Sequence, residues 1–372
     1  MIPIARPLLG AEEEAAMLGV LASGQLAQGK QVATFEQRFA EVCHVREAIA
    51  VSSGTAALHL ALLAHGIGPG DEVITTPFSF AATANVILLV GATPVFVDID
   101  PFTYTLDPTL VEAAITPRTR AIIPVHLYGH PCDMPKLMQL ANAHHLAVIE
   151  DACQAHAATI DGRPVGSFGT GCFSFYSTKN ITTGEGGMVT TNDPAIAERV
   201  RLMRSHGQKE RYTHTAMGHN LRMTDMQAAL GVVQLEKLET FTEQRIANAA
   251  YLTEHLSQAV QTPITLPDYR HVYHQYTIRV PRKRDEWVKR LQERGVGAAI
   301  HYPTTIYRQP YYRDRPGAFR IAQSSAHEAR MQRRYLPVAE EAAEQVISLP
   351  VHPSVTREDL ATIVREVLAL CD

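Results

Sequence analysis

The chain of 372 residues carries 38 acidic and 34 basic side chains, a formal net charge of -4, and 46% hydrophobic residues. That length supports a large core and more than one domain, and that charge supplies no basic field for nucleic acid or an anionic membrane. Five cysteines, widely spaced and without a CxxC pair, argue against a disulfide framework and a structural zinc site.

The N-terminus, Met1-Ile2-Pro3-Ile4-Ala5-Arg6-Pro7, lacks the apolar run of a signal peptide. The most apolar stretch, 81–90, is too short to span a bilayer and contains Asn85. A reducing cytoplasm is the expected compartment, with no membrane partner. From about residue 47 to 191, short β-branched runs alternate with helical stretches. Strands are expected at 48–52, 72–76, 94–99, 121–126 and 146–150, helices at 55–65, 81–90 and 133–145, and one more strand at 189–191. Strands separated by helices predict an α/β fold with a mostly parallel sheet covered on both faces. Beyond residue 192 the pattern changes. Helices are expected at 194–204 and 224–256, the second longer than a typical globular helix. Pro263 and Pro267 mark a loop, a strand follows around 273–280, and helices follow around 284–295 and 357–370. The expected division is a large domain with an N-terminal arm over 1–245 and a smaller α+β domain over 246–372. The segment 307–332, rich in Arg and Tyr, reads as a surface loop or excursion.

The chemistry concentrates around Lys179. It follows Phe173-Ser174-Phe175-Tyr176-Ser177-Thr178 and precedes Gly184-Glu185-Gly186-Gly187. Most lysines are solvated, but these neighbours are small, aromatic and hydroxylic, which describes a crowded site. An amine there can form a Schiff base with a cofactor aldehyde, and partial burial lowers its pKa so that it serves as a base. Asp151 closes the strand at 146–150, where ligands gather in open α/β sheets. Its carboxylate can hold a pyridine nitrogen protonated, or cap a helix. Gln154, three residues on, can reach a phenolic oxygen or complete a capping box. Ser52-Ser53-Gly54-Thr55 joins a strand to a helix. Gly54 permits close backbone approach, Thr55 adds a hydroxyl, and the helix N-terminus offers N–H groups to a phosphate. Ser174 is a second phosphate ligand or a buried strand hydroxyl. Phe80, at another strand-to-helix turn, can stack on a pyridine ring or pack in the core. His271-x-x-His274 and His144-His145 lack a companion carboxylate or cysteine cluster, so no metal is assigned.

In this order and spacing the chain closely resembles the DegT/DnrJ/EryC1/StrS family, sugar-nucleotide aminotransferases of pyridoxal phosphate (PLP) fold type I. The resemblance runs through Ser53-Gly54-Thr55-Ala56-Ala57-Leu58, Gly91-Ala92-Thr93-Pro94-Val95-Phe96-Val97-Asp98-Ile99, Val125-His126-Leu127-Tyr128-Gly129 and Glu150-Asp151-Ala152-Cys153-Gln154-Ala155-His156. It continues through the Lys179 segment, Gly218-His219-Asn220-Leu221-Arg222-Met223-Thr224 and Ser348-Leu349-Pro350. The chain departs from the family at Ser177, His219 and Leu221. The resemblance implies PLP as cofactor, with Lys179 as the covalent anchor and proton carrier. Asp151 would hold the pyridine nitrogen, Gln154 the phenolic oxygen, Phe80 the ring face, and Gly54, Thr55 and Ser174 the phosphate. Asn220 would reach the phosphate of the other subunit of a homodimer, and His301 and Tyr302 would lie near the substrate. The implied reaction is ping-pong transamination from glutamate or glutamine to a keto-sugar nucleotide. Lysine rather than histidine at 179 argues for amino transfer. Two alternatives share the scaffold: a cyclitol aminotransferase acting on a scyllo-inosose-type substrate (or a relative making aromatic amino acids), and a non-catalytic PLP-binding regulator.

Overall fold

The computed structural model describes residues 1–322 and 335–371. Two helices absent from the sequence reading open it, α1 (Ala11–Ser23) and α2 (Lys30–Val42). The signal for α2 is present: Val32, Phe35 and Phe39 recur at helical spacing and are buried. The α2 N-terminus is capped from far along the chain, where the buried Asp225 carboxylate accepts from the backbone N–H of Gly29 at 2.7 Å, Val32 at 3.0 Å and Gln31 at 3.2 Å.

Strands and helices then alternate as expected: β1 (Glu47–Val51), α3 (Gly54–Ala64), β2 (Glu72–Thr75), α4 (Ala82–Leu89), β3 (Thr93–Phe96), α5 (Pro108–Ala114), β4 (Thr119–Ile123), α6 (Met134–Ala143) and β5 (Ala147–Asp151). Of these, α5 is not in the sequence reading. Short β6 (Thr159–Ile160) and β7 (Arg163–Pro164) form a side hairpin before β8 (Thr170–Ser174) and β9 (Gly187–Thr191). The main sheet has eight strands in the order β1-β9-β8-β5-β4-β2-β3 and then Arg320–Ile321. Only β9 opposes its neighbours; the others run parallel to one another. Strand β4 stops at Ile123 rather than 126, leaving Val125 with one isolated bridge to Asp151.

Helix α7 (Pro194–Arg204) leads to an exposed hairpin, Gln208–Glu210 with Thr213–His214, and then to α8 (Asp225–Leu256), an unbroken helix of 32 residues. Thr224 opens α8 with a capping box to Gln227. Along its length α8 serves two cores. Its first half packs Ala228, Leu235 and Phe241 with the aromatic cluster Phe35, Phe39, Phe173 and Phe175. Its second half packs Ala249, Leu252 and Leu256 with Tyr276, Ile278, Ile347 and Ile363. There Tyr276–Arg279 pairs antiparallel with Val346–Leu349, flanked by helices Arg284–Glu293 and Arg357–Leu368. The strand expected from 273 begins only at Tyr276, because Tyr273 turns through a left-handed conformation (φ 44°) and lays its ring on His271 at 3.9 Å.

The described part of that segment, 307–322, is not a surface loop. Tyr307 and Tyr312 are buried against Phe96, their hydroxyls donating to Glu340 and Asn85, each at 2.6 Å, and Arg320–Ile321 extends the main sheet beside β3. Tyrosine buries its ring when its hydroxyl finds a partner. Positions 323–332 of that segment lie outside the described residues. Among the described residues no helix is long and apolar enough to cross a membrane.

Candidate active site

The carboxyl ends of β1, β5 and β8 meet at one edge of the sheet, where Val51 and Ser174 both register with Gly187 at the start of β9. A Cβ on Gly187 would stand 2.3 Å from the Ser53 carbonyl oxygen, so glycine is what lets the turn into α3 lie on β9. A Cβ on Gly54 would stand 2.7 Å from the Ser174 Cβ and 2.8 Å from the Cys153 Sγ. Above this junction lies a cavity of about 370 Å3. Its floor and walls include Gly54, Thr55, Ser174, Asp151, Gln154 and Lys179, with Phe80 and the His301–Tyr302 pair at its sides. The cavity thus unites nine of the ten candidate residues. Asn220 is the exception: it is exposed, outside the cavity of its own chain, and its Oδ1 accepts from Arg222 Nε at 3.1 Å.

Each polar group is aimed by a neighbour. Ser53 caps α3, its Oγ accepting from the Ala56 N–H at 3.1 Å, while Gly54 and Thr55, which line the cavity, have backbone N–H groups without a partner among the described residues. Asp151 is buried, and its Oδ2 accepts from the Thr83 hydroxyl at 2.7 Å, a bond that orients the carboxylate. Gln154 accepts from the Tyr128 N–H at 2.8 Å through Oε1, which fixes the amide and turns Nε2 toward the Tyr302 hydroxyl at 3.2 Å. Immediately before Asp151, the fully buried Glu150 accepts from the N–H groups of Gly166, Phe168 and Gly169, each at 2.8 Å, and from His126 Nε2 at 3.1 Å.

Electrostatics set protonation in the cavity. Burial pushes the Lys179 amine below the ordinary lysine value. Burial also drives the Cys153 thiol well up, which keeps it neutral, so the Asp151 carboxylate is the charge that opposes the shift. Among the described residues the Lys179 amine makes no hydrogen bond or ion pair. Burial, with Lys179 nearby, pushes His301 down to about 4, so its imidazole is neutral at pH 7, with Nδ1 at 3.0 Å from the Ser348 hydroxyl. Burial raises the Tyr302 phenol, which stays protonated. Behind the lysine, His156 is held neutral by burial, its pKa near 3, with its ring 5.5 Å from both Phe173 and Phe175. His274 Nδ1 lies 3.2 Å from the Asn180 Oδ1.

Thr83, Cys153, Ser53 and Glu185 also line the cavity but were not singled out by sequence. Thr83 carried a signal, a hydroxyl in the first turn of a helix that follows a strand. Cys153 carried none, since its thiol reaches the cavity only because Gly54 leaves room.

The profile of the DegT/DnrJ/EryC1/StrS aminotransferase family matches residues 7–368. The chain is 43% identical to a "Pleiotropic regulatory protein" of Geobacillus stearothermophilus, covering 94% of this chain and 91% of that one. It is 42% identical to a UDP-N-acetyl-3-dehydro-alpha-D-glucosamine 3-aminotransferase of Acidithiobacillus ferrooxidans, over 94% and 92% of the two chains. Among solved structures, S. venezuelae DesV in complex with a ketimine intermediate superposes with a TM-score of 0.90 at 40% identity, over 97% and 95%.

Proposed function

The chain belongs to the DegT/DnrJ/EryC1/StrS aminotransferase family and is a PLP-dependent aminotransferase, and we propose that it moves an amino group from glutamate (or glutamine) to a keto-sugar nucleotide by a ping-pong mechanism. The observation that carries the reading is one cavity in which a buried, pKa-lowered lysine amine, without a partner among the described residues, shares the floor with an oriented carboxylate and a helix N-terminus. The names of relatives that act on nucleotide-linked sugars support the acceptor class.

The residues present fit the cofactor. Bound PLP supplies an electrophilic carbon for the amino group and an electron sink for the negative charge that develops beside it. Lys179 would anchor it, and burial keeps a larger share of that amine neutral, able to take up a proton at Nζ and return it. Asp151, held by Thr83, would keep the pyridine nitrogen charged. Gln154 Nε2 would donate to the phenolic oxygen. Ser174, Thr55 and the N–H groups around Gly54 would hold the phosphate, and Phe80 would cover the ring. Neutral His301 and protonated Tyr302 would orient the acceptor. A lysine amine free of ion pairs among the described residues favours turnover over a purely regulatory role.

We further propose a homodimer in which Asn220 reaches the partner's cavity, consistent with its exposure outside its own. The proposed division into 1–245 and 246–372 draws support from the two cores along α8, although residues 306–322 return to the larger one.

The test is the visible spectrum of the purified protein with PLP, before and after L-glutamate, followed by turnover with UDP- and dTDP-linked 3-keto and 4-keto sugars. A yellow band that bleaches with glutamate, is absent in Lys179→Ala, and returns on adding an acceptor supports the reading. A band that bleaches but returns with none of the nucleotide-linked acceptors sinks the acceptor assignment.

A further inference from the structure

The stretch that carries Lys179 leaves the sheet after β8 and returns to it at β9. Its base is tied, because the Phe175 carbonyl accepts from the Thr183 N–H at 3.0 Å and from the Thr182 hydroxyl at 2.9 Å. Beyond that base, Asn180 is the one residue of 176–181 whose side chain makes a hydrogen bond among the described residues. Its Nδ2 donates to the Val272 carbonyl at 3.3 Å, and its Oδ1 meets His274 Nδ1 at 3.2 Å. A carbonyl oxygen only accepts, so the proton of that bond lies on His274 Nδ1. Burial, and then the charges of Lys179 and Arg245, push His274 well below the ordinary histidine value, so the ring is neutral and its Nε2 carries no proton.

The other half of this clasp is held from two sides. The Val272 N–H donates to the Gly129 carbonyl at 3.0 Å, and the Gln275 N–H to the Tyr128 carbonyl at 3.3 Å. From α8, the buried Arg245 donates through Nη1 to the carbonyls of Tyr273 at 3.1 Å and His274 at 3.4 Å. Arg245 sits between Phe241, which packs in one core, and Ala249, which packs in the other.

We infer that His274 is a positioning residue for Lys179, fixing through Asn180 the turn from which the amine enters the cavity, a deduction that rests on the role proposed above for that lysine. His274 is not among the residues that line the cavity, so it acts through its neighbour. Asn180 follows Lys179 directly, so a shift of its amide moves the lysine backbone. An amine that takes up a proton and returns it must come to the same place each time, and a misplacement of about 1 Å costs about a hundredfold in rate. The Lys179 amine has no hydrogen bond of its own among the described residues, so its backbone supplies that placement.

The experiment compares two amide variants of the full chain. In His274→Asn the Nδ2 group stands near the lost Nδ1 donor, whereas in His274→Gln the amide lies one methylene further out. Without cofactor, hydrogen exchange of the backbone over 179–183 is read by mass spectrometry, with the urea midpoint as the measure of global stability. With PLP bound, the rate constant and half-saturation of bleaching by glutamate are read by stopped flow. In His274→Gln, exchange over 179–183 should rise about tenfold, as one buried hydrogen bond is lost. Bleaching at saturating glutamate should slow about tenfold to a hundredfold, with half-saturation changed less than about threefold. His274→Asn should restore both. Unchanged exchange in His274→Gln, equal behaviour of the two variants, a rise in half-saturation alone, or faster exchange along the whole chain with a fallen midpoint would each overturn the inference. Faster local exchange with unaltered bleaching would do so too. A wild type that fails to bleach at all would remove the proposed role of Lys179, and the inference with it, whatever exchange shows of the clasp.

Discussion

Glu150→Gln tests whether the residue beside Asp151 supports the site through hydrogen bonds rather than packing. Both Glu150 oxygens are fully committed: Oε1 accepts from the Phe168 and Gly169 N–H groups, and Oε2 from Gly166 N–H and His126 Nε2. His126 cannot reverse its role, because its Nδ1 already accepts from the Cys132 N–H at 3.0 Å. Glutamine has the same shape, but its NH2 must replace one oxygen and face two donors. Turning it toward Phe168 and Gly169, the less buried pair, costs least. Two donors left unmet at roughly 1–3 kcal/mol each predict a loss of about 2–6 kcal/mol. Relief from burying a charge offsets part of this, which places the expected value near the lower half of that range. The assay is urea unfolding of the cofactor-free protein, with the change read from the midpoint at constant m. The loop at 166–169 should also become more susceptible to proteolysis, because its N–H groups lose their anchor. A loss below about 1 kcal/mol, with the loop still protected, would refute the reasoning and mean that β5 and β8 hold the loop unaided.

Lys179→Met should make the cofactor-free protein more stable at pH 7. The folded-state amine sits below the ordinary lysine value, so between the two values the unfolded chain binds a proton that the folded chain does not. Wild-type stability therefore falls as pH drops through that window, and the variant's advantage should vanish near pH ~11; equal melting temperatures at both pH values would argue against a buried amine. Gly54→Ala should cost about 1–3 kcal/mol and weaken PLP binding in a spectral titration, since its Cβ meets Ser174 and Cys153 at 2.7 and 2.8 Å; an unchanged affinity would show that the turn shifts freely. Lys179→Ala and Asn220→Ala, each inactive alone, should recover about a quarter of wild-type activity when mixed and allowed to exchange subunits, because half the dimers are mixed and one of their two sites is intact. No recovery would rule out Asn220 acting across the interface.

Lys179, Asp151 and Gly54 were legible because each is a distinctive chemical type beside a strand end, Lys179 after β8, Asp151 closing β5 and Gly54 opening α3 just after β1, whereas Asn220, His301 and Tyr302 came only from the family resemblance. Periodicity made the alternating strands and helices readable over the same stretch. What stayed hidden is tertiary. Thr83 matters because its hydroxyl meets Asp151 across 68 positions, and Gly54 matters as much for letting Ser174 and Cys153 approach as for any ligand. The stretch beginning at Tyr307 looked like surface because arginine and tyrosine are often exposed, yet Tyr307 and Tyr312 found Glu340 and Asn85 and went inside. The return of that segment to the large sheet is sealed at a distance too: the buried Asp98, just past β3, accepts from the N–H groups of Val338 at 3.0 Å and Ala339 at 2.8 Å, capping the helix Pro337–Gln345. A carboxylate that caps a helix hundreds of residues away has no local pattern. Sequence spacing therefore shows which groups can do chemistry, while the bonds that aim them depend on which strands and helices meet. The supports of this site, Thr83, Tyr128 and Glu150, are for that reason the residues where a substitution tests the structure rather than the motif.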